Sequence, residues 1–186
     1  FIPIVECHAQ TQSVTDFSVP SEGYGQFLVD VFHEWYEHDV GKIYVSQFDN
    51  LLGQWLGYSS TTCVHQPTCG QSLVTEANGD VYTCDHFVYP EYKVGNLTQQ
   101  PLTEIVLSSK QQQFGLEKSQ KLTALCRHCE FRKLCYGGCP KHRFVSLENE
   151  PNPHNYLCAS YRYFFEQTAP YMQAMARQIR LHPSAA

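Results

Sequence analysis

The stretch CRHCEFRKLCYGGCP, residues 126–140, constrains this chain more than any other. It sets Cys126, Cys129, Cys135 and Cys139 close together, with Pro140 directly after the last. Thiols this dense are held by disulfides or by metal. The chain has nine cysteines in 186 residues, an odd count, with tight C-x2-C and C-x3-C spacings. It opens on FIPIVE, with no secretory pattern. These features point to reduced thiolates holding metal in a cytoplasmic protein rather than to a disulfide framework. Thiolates select zinc or iron–sulfur clusters over hard cations.

Composition narrows the class. Apolar residues make up 42% and charged residues 17%, so the chain is globular. No apolar run is long enough to span a bilayer, so no membrane partner is expected. The formal net charge of −5 argues against a nucleic-acid partner. Arg127, Arg132, Lys133, Lys141 and Arg143 cluster around the cysteines and read as compensation for several thiolates.

Taken in order, residues 1–7 read as a strand apolar on both faces. Ser21 caps a helix over 22–38, with Phe27, Leu28, Val31, Phe32 and Trp35 on one stripe. A strand at 42–45 and a helix over 47–56 follow, the helix capped by Ser46 with Asp49 in its first turn and Gly57 at its end. Strand, helix, strand, helix is the tail of an α/β unit, too little to close a sheet alone. A chain opening inside a strand, without Met, is therefore expected to be part of a longer protein. Residues 59–70 are loop. Asn78-Gly79 predicts a hairpin over 71–76 and 80–84, which folds Cys84 back towards Cys69. Residues 85–100 read as aromatic-rich loop, 101–112 as a helix opened by Pro101, and 144–155 as loop. A helix over 156–168 is expected to break at Pro170, with Thr168 capping a last helix to 181 that turns Met172, Met175 and Ile179 inward. The fold class is α+β, with 1–58 and 59–186 as two domains.

Cysteine spacing sorts the ligands. Apart from Cys7 there are eight thiols, enough for two sites of four. In bacterial two-cluster ferredoxins, C-x2-C-x2-C-x3-C-P sends its last cysteine to the other cluster. Here the run is C-x2-C-x5-C-x3-C-P, and the same steric logic separates Cys139 from Cys126, Cys129 and Cys135. Cys158 then completes the latter set, and Cys139 joins Cys63, Cys69 and Cys84. A zinc ribbon wants two C-x2-C knuckles, and only one is present.

The segments CVHQPTCG, NGDVYTCDHFVYPEYKVGN, CRHCEFRKLCYGGCPKHR and YLCASYRYFF resemble the C-terminal half of the anaerobic sulfatase-maturating enzymes. These are radical S-adenosylmethionine enzymes with a SPASM domain. The resemblance implies a small cysteine-rich domain, a hairpin and helices around two auxiliary [4Fe–4S] clusters, preceded by the last elements of a partial (β/α) barrel. It implies one cluster on Cys63, Cys69, Cys84 and Cys139, and a second on Cys126, Cys129, Cys135 and Cys158. The C-x3-C-x2-C motif that binds S-adenosylmethionine and a third [4Fe–4S] cluster in that family is absent, so this chain alone is expected to be inactive. In the intact enzyme the resemblance implies oxidation of a Cys or Ser of an unfolded sulfatase polypeptide to Cα-formylglycine. The adenosyl radical takes a hydrogen from the β-carbon, a base takes the proton of the thiol or hydroxyl, and an electron leaves through the clusters to an external partner. Asp85, beside Cys84, matches the family's base, and a carboxylate next to an anionic cluster is expected to have a raised pKa.

Other residues near the ligands have quieter roles. His86, His128 and His142 read as hydrogen-bonding neighbours of ligands rather than ligands. Phe87, Tyr89 and Tyr92 either line a peptide channel or pack around a cluster. Cys7 reads as a buried strand thiol. The competing functions are a SPASM maturase for another peptide and a zinc-binding interaction module.

Overall fold

Burying a dense set of aromatic side chains decides how this chain folds. The structure, a computed structural model, describes residues 1–8 and 13–182. In chain order its elements are α1 (Ser21–His38), α2 (Ser46–Leu56), β1 (Val74–Thr75), β2 (Asp80–Tyr82), β3 (Lys93–Asn96), α3 (Leu102–Val106), α4 (Ser109–Gln120), α5 (Ala124–Arg127), α6 (Arg132–Cys135), β4 (Arg143–Val145), β5 (His154–Asn155) and α7 (Cys158–Leu181). Helices with two small sheets agree with the expected α+β class.

The core is helical. Tyr24, Leu28, Phe32 and Trp35 form the buried stripe of α1, and Phe48 and Leu51 that of α2. Both helices lie on α7, which buries Tyr161, Phe164, Phe165, Met172 and Met175. Phe32 sits at the centre, its ring 5.5 Å from Phe48 and 6.3 Å from Phe164. Where α1 meets α7, a Cβ on Gly25 would stand 3.0 Å from the Ser160 Cα, so only glycine allows this approach. Phe131, Leu134 and Leu157 join the same core, which therefore spans both sides of position 58.

Several expectations are corrected. Neither strand expected at 1–7 and 42–45 forms. Val5 is buried, but Phe1, Ile2 and Ile4 are exposed, unlike a strand covered on both faces. Backbone groups there are satisfied locally: Glu6 N–H donates to Ser18 Oγ at 2.8 Å, and Val19 N–H donates to Ile4 O at 2.9 Å. At 42–45 the Asp39 carbonyl accepts from Lys42 and Ile43, and the Trp35 indole donates to Ile43 O at 3.0 Å. Residues 1–58 thus contribute two helices rather than a strand–helix repeat. Pro20, not Ser21, holds the cap position of α1, and Val45, not Ser46, that of α2, where Asp49 reaches back to the Val45 N–H at 2.7 Å. Phe27 falls off the stripe and is exposed.

Towards the C-terminus, α7 continues through Pro170. A proline inside a helix costs roughly 3 kcal/mol. Burial of Met172 and Met175 beyond it returns about 1.5–3 kcal/mol each, enough to keep the helix going. Thr168 caps nothing; its hydroxyl donates to Phe164 O at 2.7 Å inside the helix. The expected hairpin forms with shorter strands. Gly79 N–H donates to Glu76 O and Glu76 N–H to Asp80 O, so the loop holds Ala77, Asn78 and Gly79, as the expected strand ends at 76 and 80 require. Three segments read as uniform are not. The 85–100 loop contains β3, which pairs with β2; the 101–112 helix splits into α3 and α4 at the Ser108 cap; and the 144–155 loop is bordered by β4 and β5.

A truncation test follows from the position of Phe32. Phe32→Ala should lower the unfolding free energy by about 3–5 kcal/mol in a urea titration. Phe27→Ala on the exposed flank should cost about 1 kcal/mol or less.

Candidate metal centre

Three of the four thiols in the first set are held by one face of α4. That face is polar: Gln111, Gly115 and Lys118 are its buried residues, at i, i+4 and i+7. The Gln111 amide donates to Gly70 O at 2.7 Å and Thr83 O at 3.4 Å, tying the residue after Cys69 to the residue before Cys84. Gly115 O accepts from the Cys69 N–H at 3.1 Å, and a Cβ on Gly115 would stand 2.6 Å from Cys69 O. Lys118 Nζ donates to Cys63 O at 2.5 Å and Val64 O at 3.0 Å. Sequence reasoning missed all three residues. A helix with so few apolar residues shows no stripe, and the only signal was a glycine flanked by polar residues at helical spacing.

The second set is built from short turns on the aromatic core. Thr123 caps α5, its hydroxyl accepting from the Cys126 N–H at 3.3 Å. Cys129 follows, Cys135 ends α6, and Cys158 opens α7. All four thiols line one cavity of about 270 Å³, together with His154 and Arg162. Every cysteine of the chain is a free thiol. Among the described residues no three His, Cys, Asp or Glu side chains converge as a single ion would require.

Burial first, and neighbouring thiolates second, disfavour the charged form of several thiols. Burial, then repulsion by Cys158 and Cys126, pushes Cys135 up to about 12. Burial, then Cys126 and Cys129, pushes Cys158 up to about 11. Burial pushes Cys139 up to about 11, with Cys69 and Cys63 adding to it. Cys84 is pushed up to about 12 by burial first, with Asp85 and Cys139 contributing. Each of these repulsions joins members of the same expected set: Cys63, Cys69, Cys84 and Cys139, or Cys126, Cys129, Cys135 and Cys158.

Asp85 is exposed beside Cys84, whose thiol donates to Asp85 Oδ1 at 3.0 Å. That hydrogen bond holds the carboxyl below its ordinary range, outweighing desolvation. With Cys84 a free thiol the carboxylate is favoured, because a protonated thiol is a donor; the raised pKa expected beside an anionic cluster concerns the metal-loaded state. His86 Nδ1 lies 3.5 Å from Cys139 Sγ, as a ligand's neighbour would. His142 is buried without a partner for Nδ1, and burial pushes it down to about 4. His128 Nδ1 lies 2.9 Å from Ala124 O, and the residue lines the cavity of the second set. The unanticipated His154 places Nδ1 3.8 Å from Cys126 Sγ and 3.0 Å from Thr123 Oγ1. Phe87 and Tyr92 pack together with Phe114, while Tyr89 Oη accepts from Lys141 Nζ at 2.8 Å. Cys7 is half-buried in no strand, its Sγ 3.6 Å from His8 O. Of the basic residues expected to compensate thiolates, Arg143 does so, and Lys118 joins it. Arg127 and Arg132 instead bond backbone carbonyls, and Lys141 pairs with Glu6.

Residues 63–130 match the model of SPASM, an iron–sulfur cluster-binding domain. The chain is 44% identical over 168 residues to the serine-type anaerobic sulfatase-maturating enzyme of Bacteroides thetaiotaomicron, covering 90% of this chain and 40% of that enzyme. It is 32% identical over 167 residues to the cysteine-type enzyme of Clostridium perfringens, covering 89% and 45%. A solved structure of native anSMEcpe with bound AdoMet and Cp18Cys peptide superposes with a TM-score of 0.77 at 31% identity, over 94% of this chain and 47% of that one. The chain spans less than half the length of these relatives and corresponds to their C-terminal part.

Gly115→Ala tests the α4 support. The methyl would displace Cys69, so reconstituted protein should keep about half its iron, that of the second set. Full iron content would show that α4 does not position Cys69.

Proposed function

We propose that this chain is the auxiliary-cluster part of a radical S-adenosylmethionine enzyme that oxidises a Cys or Ser of a sulfatase to Cα-formylglycine. One observation supports the reading: four free thiols, Cys126, Cys129, Cys135 and Cys158, line a single cavity, and an exposed carboxylate, Asp85, stands next to a fifth, Cys84. In this reading Cys63, Cys69, Cys84 and Cys139 hold one [4Fe–4S] cluster. Cys126, Cys129, Cys135 and Cys158 hold the other. The residues fit such groups. The donor set is entirely thiolate, which suits iron–sulfur clusters. The second set lines one cavity of about 270 Å³, room for a polynuclear cluster. Burial keeps free thiols protonated, so deprotonation would accompany metal binding.

Residues 59–186 form the cluster-bearing unit, and 1–58 the side through which it joins a partial barrel. S-adenosylmethionine and the third cluster belong to the part of the enzyme that carries C-x3-C-x2-C. When bound, the two auxiliary clusters supply one-electron transfer towards an external electron partner. The contribution of this chain is the scaffold and the base. Asp85 is open to solvent, so it can accept a proton from the thiol or hydroxyl of an unfolded sulfatase segment. The hydrogen bond that the free Cys84 thiol gives Asp85 would be lost once Cys84 is a deprotonated ligand, which leaves the exposed carboxylate available to the substrate. No described helix is long and apolar enough to cross a membrane, and eight cluster thiolates suit the reducing cytoplasm.

Anaerobic reconstitution should yield about eight irons per chain. Cys84→Ala should remove one cluster and leave the other; loss of both or neither would refute the division of ligands. In the full-length enzyme, Asp85→Asn should slow formylglycine formation on a sulfatase-motif peptide by roughly 10²–10⁴-fold while iron content stays unchanged. Full activity would remove Asp85 as the base.

A further inference from the structure

Two cations are buried where the two thiol sets meet. Lys118 is 1% exposed, and its ammonium rests on the carbonyls of Cys63 and Val64. Arg143 is half-buried and spreads its guanidinium over the link between the sets. Its Nε donates to Gly137 O at 3.1 Å, and its Nη2 to Tyr136 O at 2.9 Å and Gly138 O at 3.4 Å. These carbonyls are the whole backbone between Cys135 of one set and Cys139 of the other. Nη1 donates to Lys118 O at 2.8 Å, which joins the two cationic residues through the backbone.

Neither cation has a carboxylate partner among the described residues. Burying a charge against neutral carbonyls alone is costly, so its compensation must come from elsewhere. The anions in reach are the thiolates. Burial pushes the Lys118 ammonium down, while Cys69, Cys139 and Cys63 hold it up. Arg143 is depressed by burial and held up by Cys126, Cys69, Cys135 and Cys139. Lys118, on the carbonyls of Cys63 and Val64, therefore lies beside the first set, and Arg143, on the carbonyls of residues 136–138, lies between the two.

We propose that Lys118 and Arg143 are positioning residues that tune the two clusters unequally, Lys118 raising the reduction potential of the first and Arg143 raising both. The inference rests on the auxiliary-cluster reading above. Reduction adds one negative charge, and a fixed cation in a poorly screened site stabilises the reduced form. The unequal share biases the cluster beside Asp85 towards holding an electron.

The test is a redox titration of the full-length, iron-loaded enzyme by voltammetry, with the auxiliary signals assigned from Cys84→Ala. Lys118→Gln keeps a donor for the Cys63 carbonyl and removes the charge. It should lower the reduction equilibrium of the first cluster at least tenfold, about 59 mV for a one-electron couple, and leave the second unmoved. Lys118→Arg should restore the wild-type value. If Lys118→Gln fails to retain iron, Arg143→Gln and Arg143→Lys provide the same comparison, with both potentials falling in the first and neither in the second. Unchanged potentials in a charge-removing variant that retains full iron overturn the proposal. Wild-type protein that takes up no iron would instead overturn the auxiliary-cluster reading itself.

Discussion

Eight thiols brought together without disulfides make a repulsive assembly, and the structure depends on how that repulsion is contained. As free thiols, Cys69, Cys84, Cys135, Cys139 and Cys158 are pushed up, chiefly by burial and further by neighbouring cysteines. As metal ligands they would carry negative charge into a poorly hydrated interior. Containment comes from two sources. One is buried positive charge, on Lys118 and Arg143. The other is backbone hydrogen bonding that fixes each cysteine loop before any metal arrives, as Gln111 does between Gly70 and Thr83. A flexible loop would have to lose conformational entropy on binding, at about 1–2 kcal/mol per residue. A loop already tied to α4 has lost most of it on folding.

The aromatic core and the thiol sets are mechanically one object. Phe131 and Leu134 sit in the core and flank α6, which ends on Cys135. Leu157 is fully buried immediately before Cys158, and Phe164 and Phe165 anchor the same helix about two turns further on. The second set is therefore carried by helix ends whose other faces are packed. The first set has less of it. Val64 packs on the core and His65 lies edge-on to Tyr161 and Phe165, but the loops of Cys69 and Cys84 rest on the polar face of α4 and on the three-stranded sheet. Hydrogen bonds and close backbone approach carry those two loops.

This difference governs what was legible beforehand. The expected division of the thiols comes from the C-x5-C-x3-C-P spacing, which is local and steric. Asn78-Gly79 located the hairpin because turn preference is also local. The stripes of α1 and α2 were visible as hydrophobic periodicity, although both caps were misplaced by one residue. The α4 support was not visible, since a helix that buries Gln, Gly and Lys carries no apolar signal and its partners lie about fifty residues away. Strand β3 was missed because Gly95 and Asn96 are poor strand formers, and the pairing is held by Asn96 reaching Asp80 Oδ1 at 2.7 Å. Pro170 misled for the opposite reason: its local preference is strong, and tertiary burial on both sides overrides it.

The link Tyr136-Gly137-Gly138 concentrates these effects. All three residues are left-handed, with φ of 48°, 72° and 62°. Such a run reverses the chain sharply enough for Cys135 and Cys139 to serve different sets. Two of the positions are glycine, which adopts this conformation freely; Tyr136 pays roughly 1–2 kcal/mol for it. The strain persists because the surroundings over-determine it. Arg143 grips the three carbonyls, and Asn155 donates to Gly137 O at 2.9 Å and Cys139 O at 3.3 Å. A side chain at Gly137 would meet Arg143 Nη2 at 2.7 Å, and one at Gly138 would meet Asn155 Nδ2 at 2.6 Å. The residues that stabilise the turn thus occupy the space that side chains would need. The same guanidinium that holds the reversed backbone brings its charge to both thiol sets, so the geometry of the division and its electrostatics have a common origin.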